Sequence, residues 1–253
     1  MELADLRSLE QRAIATHLKQ ASDAANIYLD GFNFLHQSLH VLTGYKFGEA
    51  LEQRVMMALF IKTLNSMRCF YELATLGYYV QALNLVRTPV EDWMGYWFLR
   101  NFPERHEEFT KPGLEPPEFN IALQAVESAQ NRQRKGVGQP PKQPDKRIRA
   151  WMKELHKYSH LSRLTVREVM TIDKDFTHYR LGPDEDEARF RATIAQAIPI
   201  IAAHLEALDN FRRLAGREPI ADFKAYADRA VAWQKAQVAV VRDLERKGAR
   251  RAR

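Results

Sequence analysis

The strongest constraint on the fold is the spacing of the apolar residues, which recur at intervals of three and four along most of the chain. This spacing places them on one face of an α-helix, whereas a half-buried strand needs strict alternation. No run of four or more alternating residues lies between turn signals. We therefore expect an all-α bundle of roughly seven to nine helices. The longest faces comprise Met57, Phe60, Ile61, Leu64, Met67, Tyr71 and Ala74; Ile194, Ile198, Ile201, Leu205 and Leu208; and Phe223, Tyr226, Ala230, Trp233, Val240 and Leu244.

Glycine and proline divide this pattern into separate helices. Gly44 and Gly48 separate a first helical stretch, at roughly 3–42, from a second one at roughly 49–75. Gly77 precedes the third. The later helices are expected at roughly 78–100, 103–110, 118–132 and 147–158, and after the prolines Pro183 and Pro219.

The best linker candidate is the segment 133–146, which contains two glycines and three prolines. We interpret residues 1–245 as a single helical domain in which 133–146 is a flexible insertion, and 246–253 as a basic disordered tail. Two domains joined by this linker are the alternative. We favour one domain, because the helices after the linker have broad apolar faces that the earlier helices would have to cover.

The net charge of +6 is concentrated in two places. The tail 246–253 carries +5 and the segment 131–149 carries +6, which leaves a net charge of −5 on the remaining chain. We interpret both segments as solvated loop and tail rather than as a folded basic groove. The alternative is that they are arms that contact nucleic acid or another anionic surface.

Neither a targeting signal nor a membrane span is evident. The start, MELADLRSLEQ, has acidic residues where a signal peptide has a basic region, and the apolar runs fall well short of the roughly 20 residues that a span needs. Cys69 is the only cysteine, which excludes an intramolecular disulfide. We expect a cytoplasmic chain with no membrane partner.

Sequence motifs for cofactor and metal chemistry are missing. Phosphate-binding loops, nucleophile elbows, His-Glu-x-x-His helices and paired Glu-x-x-His motifs do not occur, and no cofactor is expected. Two His-x-x-x-His pairs, His36 with His40 and His156 with His160, have a spacing that can bind a metal on a helix. Neither has a cysteine or a glutamate at the usual spacing. We interpret them as structural or surface histidines and expect no metal.

The residues 71–110 contain the pattern G-x-x-x-x-A-L-x-L-x-R-T-x-x-E, and Lys157–Ser162 reads KYSHLS. Over roughly 50–215 the chain resembles the HEPN-like superfamily, in particular its poorly characterised bacterial branch. The resemblance implies a polar cluster of Arg87, Glu91, Tyr158 and Ser162, which binds a ligand or stabilises the bundle. It also implies an RNA or protein partner, or a second copy of the chain in a homodimer.

Arg87 and Glu91 are four residues apart in an apolar and aromatic neighbourhood, so on a continuous helix they would share a face. We expect them to be paired and at least partly buried. Pro89 lies between them and either kinks the helix or, with Thr88 as the N-cap, begins a new one.

Ribonucleases of the HEPN superfamily use an Arg and a His separated by four to six residues, and cleave without a metal. Three such matches occur, about as many as chance gives: Arg12 with His17, Arg100 with His106, and Arg149 with His156. Arg149, His156 and His160 are therefore the candidate catalytic residues. Two functions stay open: a binding or interaction module linked to defence or RNA metabolism, and a metal-independent HEPN-type ribonuclease. The sequence does not decide whether the chain is an enzyme.

Overall fold

The computed structural model describes residues 3–42, 50–142, 146–159, 170–172, 177–179 and 183–251. Most of these residues are helical, and the prediction of an all-α fold is confirmed. The elements are α1 Leu3–Gln20, α2 Ser22–His40, α3 Leu51–Thr75, α4 Tyr79–Asn101, a 3-10 helix Pro103–Phe109, α5 Phe119–Gly136, α6 Lys146–Ser159, β1 Met170–Ile172, β2 Thr177–Tyr179, α7 Glu187–Leu214 and α8 Phe223–Arg251.

Helices α4 and α7 are the centre of the bundle. Helix α4 packs against α3, α5, α6, α7 and the 3-10 helix, and α7 also packs against α2, α3 and α8. The apolar faces predicted from the sequence meet here: Phe60 and Met67 of α3, Ile194 and Leu205 of α7 and Tyr226 of α8 are all buried in one core. Residues on both sides of segment 133–146 contribute to this core.

The first helical stretch is interrupted at Ala21, whose φ of −121° and ψ of 35° are not helical. No glycine or proline marks the break, so the sequence predicted a continuous stretch. The buried guanidinium of Arg191, on α7, donates to the carbonyl oxygen of Gln20 at 2.9 Å. The carbonyl at the end of α1 therefore has a tertiary partner that local sequence does not reveal.

Helix α4 is continuous through Pro89. Of the two alternatives for this proline, a new helix beginning at Thr88 is wrong, and Arg87 and Glu91 lie on one helix. Pro89 is buried, and it lacks the N–H that would bond to the carbonyl of Leu85. Packing on several sides of α4 offsets that loss.

Asp186 caps the N-terminus of α7, since its carboxylate accepts a hydrogen bond from the N–H of Arg189 at 3.1 Å. The segment before it contacts the α3–α4 turn, where the N–H of Asp184 donates to the carbonyl of Gly77 at 3.1 Å. Gly77 has a φ of +87°, and a Cβ at this position would overlap the backbone of Asp184. A glycine is needed here for both reasons. The helix starts at Glu187, four residues after the proline that was expected to open it.

The structure places helix within both basic segments. Residues 133–136 belong to α5 and α8 continues to Arg251, whereas we expected a flexible insertion from 133 and a disordered tail from 246. The start of α6 at Lys146 agrees with the helix expected at roughly 147–158. Arginine, lysine and alanine favour helices, and basic side chains are stabilised at helix C-termini. Residues 143–145 and 252–253 of these segments lie outside the described part.

Two short strands form the only sheet within the described residues. β1 and β2 pair antiparallel, with Met170 opposite Tyr179 and Ile172 opposite Thr177. Three residues are too few for alternation to be recognised in the sequence. No helix in the described part is long and apolar enough to cross a membrane.

Candidate binding cleft

A cleft of about 1220 Å³ opens between α3, α4, α6, the 3-10 helix and the segment that leads into α5. It is larger than the roughly 300–1,000 Å³ of common small-molecule pockets. Since α4 is the central helix of the bundle, the floor of the cleft is made of a helix held by its neighbours on several sides.

The lining of the cleft includes basic side chains from three helices. Arg54 and Lys62 lie on α3, Arg87 lies on α4, and Arg149 and Lys153 lie on α6. Among the described residues, the lining contains three acidic side chains, those of Glu91, Asp92 and Glu118. The lining therefore carries two more basic than acidic side chains, which the sequence did not indicate. Arg149 lies in the first turn of α6, within the helix expected at roughly 147–158.

The lining also includes apolar side chains from the 3-10 helix and the segment before α5. Phe109 from the 3-10 helix and Pro116, Pro117 and Phe119 from the following segment line the cleft. Gly95 of α4 lets the 3-10 helix approach, since a Cβ there would lie 3.2 Å from Phe109 Cε1. The cleft thus combines basic side chains with aromatic and proline residues.

Arg87 and Glu91 form an ion pair within the cleft, with Arg87 Nε 2.6 Å from Glu91 Oε1. Their side chains are 30% and 40% exposed, so solvent reaches both. Pairs of this kind contribute little to stability, about 0.3–0.5 kcal/mol. The pair therefore lines the cleft and adds little to the stability of the bundle.

Arg149 is held by a carboxylate outside the lining, since its Nη2 lies 2.7 Å from Glu127 Oε2 on α5. This contact fixes α6 against α5 and keeps one cationic group at the edge of the cleft. Lys153, one turn further along α6, is exposed.

Asp92 is the most buried charged group of the cleft, with a side-chain exposure of 3%. Its Oδ1 accepts a hydrogen bond from the ammonium of Lys62 at 2.8 Å, and Lys62 is itself 59% exposed. Its Oδ2 lies 3.4 Å from the hydroxyl of buried Thr63. Burial raises the pKa of Asp92 and Glu91 adds to the effect, while Lys62 and Thr63 oppose it.

Thr63 connects Asp92 to a histidine in the core, since its hydroxyl lies 3.1 Å from Nε2 of His204. His204 Nδ1 lies 2.9 Å from the carbonyl oxygen of Ile200. Because a carbonyl oxygen only accepts, Nδ1 carries the hydrogen and Nε2 is an acceptor. Burial lowers the pKa of His204 to about 4, so the ring is neutral at pH 7. A continuous polar chain thus runs from the α7 core through Thr63 and Asp92 to Lys62 in the cleft.

The structure brings together three of the residues singled out from the sequence, since Arg87, Glu91 and Arg149 all line this cleft. Tyr158 and His156 lie in the last turns of α6, and their side chains are outside the described part of the chain. Ser162 and His160 lie outside the described residues altogether.

Two of the three Arg–His matches lie away from the cleft. His17 is fully buried: its Nδ1–H donates to the carbonyl of Thr75 at 2.8 Å, and Tyr79 Oη lies 2.6 Å from its Nε2. This histidine is closed to any substrate. His106 lies in the 3-10 helix, 3.2 Å from the carbonyl of Pro103. No histidine with a described side chain lines the cleft.

Sequence reasoning missed Lys62, Thr63, Asp92, Lys153 and His204. A polar residue at an otherwise apolar helix position was the available signal, since Thr63 precedes Leu64, and His204 lies between Ile201 and Leu205. Such positions do not show which helices meet.

No protein family model, curated protein or solved structure matches this chain. Across the described residues there is no group of three or more His, Cys, Asp or Glu side chains that could hold a metal ion. The rings of His36 and His40 on α2 have centroids 6.3 Å apart. The function must therefore be argued from the cleft itself.

Proposed function

We propose that the chain is a binding module and that the cleft holds a short stretch of single-stranded RNA. The observation that carries the proposal is the convergence of five basic side chains from α3, α4 and α6 on one cleft. Basic grooves that follow the phosphate backbone are the general means of binding single strands.

The aromatic residues of the cleft support RNA over a simple anion. Phe109 and Phe119, with Pro116 and Pro117, line the same cleft as the basic side chains. Bases of an unpaired strand stack on aromatic rings, which typically contributes about 1–3 kcal/mol per base. The volume of about 1220 Å³ also exceeds what one drug-sized ligand fills. A resemblance to the HEPN-like superfamily points in the same direction.

The test is fluorescence anisotropy with a labelled 12-nucleotide RNA of mixed sequence, measured as a function of salt. A single strand that contacts Z cationic groups loses affinity with a slope of about −0.7Z in log salt. Lys153→Gln should therefore weaken binding and reduce the slope by about 0.7. Phe119→Leu should weaken binding with little change of the slope, since stacking releases no counterions.

The matched control is Lys235→Gln, which removes an exposed lysine of α8, a helix that does not line the cleft. Its affinity and slope should equal those of the wild type. Equal losses from Lys153→Gln and Lys235→Gln would refute the cleft as the binding site. Tight binding of a protein partner without any binding of RNA would refute RNA as the ligand.

Ribonuclease activity is the second candidate, and one observation favours it. Arg149 of the Arg149–His156 match lines the cleft, and His156 follows it on the same helix. The same RNA, incubated with the protein and excess EDTA and analysed on a gel, tests this function. Cleavage that is lost in both Arg149→Ala and His156→Ala, with binding retained in the second, would make the chain a metal-independent nuclease. If the RNA stays uncut, the ribonuclease is refuted and the binding module is the remaining function.

A further inference from the structure

The hydroxyl of Thr63 has one hydrogen and two acceptors within reach. His204 Nε2, at 3.1 Å, is an acceptor because the hydrogen of the ring is on Nδ1. Asp92 Oδ2, at 3.4 Å, is the other. While Asp92 is ionised, Thr63 can donate to one of them and not to both.

A proton on Asp92 Oδ2 removes this conflict. The carboxylic acid then donates to Thr63 Oγ1, and the Thr63 hydroxyl donates to His204 Nε2, so both contacts become hydrogen bonds. The ammonium of Lys62, at 2.8 Å, is the charged group that favours the ionised form, while the longer contact with Thr63 can be kept by the protonated form as well. Asp92 is thus arranged to remain buried as a neutral acid if Lys62 leaves it.

The side chain of Lys62 can move away from Asp92. It is 59% exposed and lines the cleft, whereas the side chain of Asp92 is 3% exposed. An anionic group that enters the cleft can bind the ammonium without moving any helix, but the carboxylate cannot follow. Removing its counter-ion from a buried carboxylate favours the protonated form.

We propose that Lys62 binds a phosphate of the ligand and that Asp92 takes up one proton from solvent as Lys62 leaves it. The carboxylate oxygen forms the O–H bond, the proton comes from the buffer, and the Lys62 ammonium keeps its charge. Ligand binding and proton uptake are then linked. The proposal rests on the proposed function, because it assigns a phosphate-bearing ligand to the same cleft.

The other charged groups around Asp92 do not replace Lys62 as the counter-ion of its carboxylate. Glu91 on its own helix is paired with Arg87. From α6, Arg149 is held by Glu127, and Lys153 lies at the exposed edge. The remaining charged groups of the described lining are Arg54 of α3 and Glu118 before α5. The 3-10 helix contributes the uncharged Phe109 to the lining, and α7 contributes the neutral His204 to the core beside Thr63.

The experiment is isothermal titration of the same 12-nucleotide RNA into the wild-type protein at pH 7, in two buffers of different ionisation enthalpy. We expect uptake of about one proton per strand and a Kd that rises by up to about tenfold per pH unit between pH 6 and pH 8. Asp92→Asn should bind with no such uptake and a flat pH profile. Asp228→Asn, which removes an exposed carboxylate of α8, a helix that does not line the cleft, should keep both the proton uptake and the pH dependence.

A second measurement needs no RNA. Lys62→Met imitates the departure of Lys62, so the denaturation midpoint should fall, relative to wild type, as the pH rises from 5 to 8. Adding Asp92→Asn should remove that pH-dependent difference. The proposal is overturned if the denaturation midpoint of Lys62→Met shows no such fall with pH, or if RNA binds without proton uptake. Failure of RNA to bind at any pH would refute the proposed function alone, and the Lys62→Met result would still decide whether Asp92 takes up the proton.

Discussion

Replacement of Arg191 by methionine should destabilise the bundle more than the loss of any surface charge. The Arg191 side chain, on α7, is 9% exposed and binds four groups. Its Nε donates to Glu187 at 2.8 Å and its Nη1 to Asp23 at 2.8 Å. Its Nη1 also donates to Gln237 at 3.2 Å, and its Nη2 to the carbonyl of Gln20 at 2.9 Å. The side chain therefore joins α1, α2 and α8 to α7.

The size of the effect follows from the burial of these partners. Removing one member of a buried ion pair typically costs about 3–5 kcal/mol. Asp23 is half-exposed, so water can replace part of the lost interaction, and the lower end, about 3 kcal/mol, is expected. Burial tends to raise the pKa of Asp23, but the hydrogen bonds from Arg191 and Trp233 and the charge of Arg191 outweigh it and lower the pKa. A lowered carboxyl pKa contributes stability above the ordinary pKa of 3.8 and loses it as the pH falls through the folded value.

The assay is urea unfolding at pH 7 with circular dichroism, together with a thermal scan in which Tm should fall by roughly 6–12 °C. Arg68→Met is the matched control, since Arg68 also pairs with a glutamate four residues away but is 74% exposed. It should cost less than about 0.5 kcal/mol. If Arg191→Met costs no more than Arg68→Met, the guanidinium does not stabilise the junction of these helices and the reasoning fails.

Three further predictions concern the cleft pair, the core and the pH dependence of stability. Arg87→Met and Glu91→Leu should each cost less than about 1 kcal/mol in urea unfolding, because both side chains are partly exposed; a loss of 3 kcal/mol from either would mean that the pair is structural. Gly31→Ala should lower stability by about 1–3 kcal/mol, since its Cβ would overlap the buried ring of Tyr226; an unchanged midpoint would contradict this packing. The pKa of His204 is lowered from 6.5 to about 4, so its contribution to the free energy of unfolding should be complete above pH 6.5 and should fall by about 3 kcal/mol as the pH drops to 4. The difference in unfolding free energy between wild type and His204→Asn, measured from pH 6.5 to pH 4, should show this slope.

Most of the helices could be predicted, because their apolar faces follow one period over long stretches. The segments 51–75 and 187–214 are examples, since most residues of their predicted faces lie in the core, although Ile61 is exposed. The break at Ala21 could not be predicted, because it depends on a hydrogen bond from Arg191, which is far away in the chain. The end of α5 was expected at about residue 132 because the glycines and prolines of the following segment were taken as a linker signal, although Arg134 and Lys135 are good helix formers.

The candidate site could be predicted only where its residues are close together in the sequence. Arg87 and Glu91 were recognised by their spacing of four on one helix. Lys62, Asp92 and His204 come from three helices, and periodicity does not show how helices are aligned relative to one another. A single threonine and a single histidine on apolar faces carry no information about each other until the packing of α3 against α7 is known.

The burial of Asp92 is better explained by the chemistry of the cleft than by stability. A buried carboxylate is costly, and replacing such a group by an apolar residue of similar size is often neutral or stabilising. Its partner Lys62 is 59% exposed, and contacts of exposed lysines contribute little. Helix α4 is nevertheless packed against α3, α5, α6 and α7, which is the rigid support that a binding group needs in order to keep its position. A charge that does little for the fold, on a helix packed on several sides and in a cleft lined by basic side chains, is where a residue that responds to a ligand would be expected.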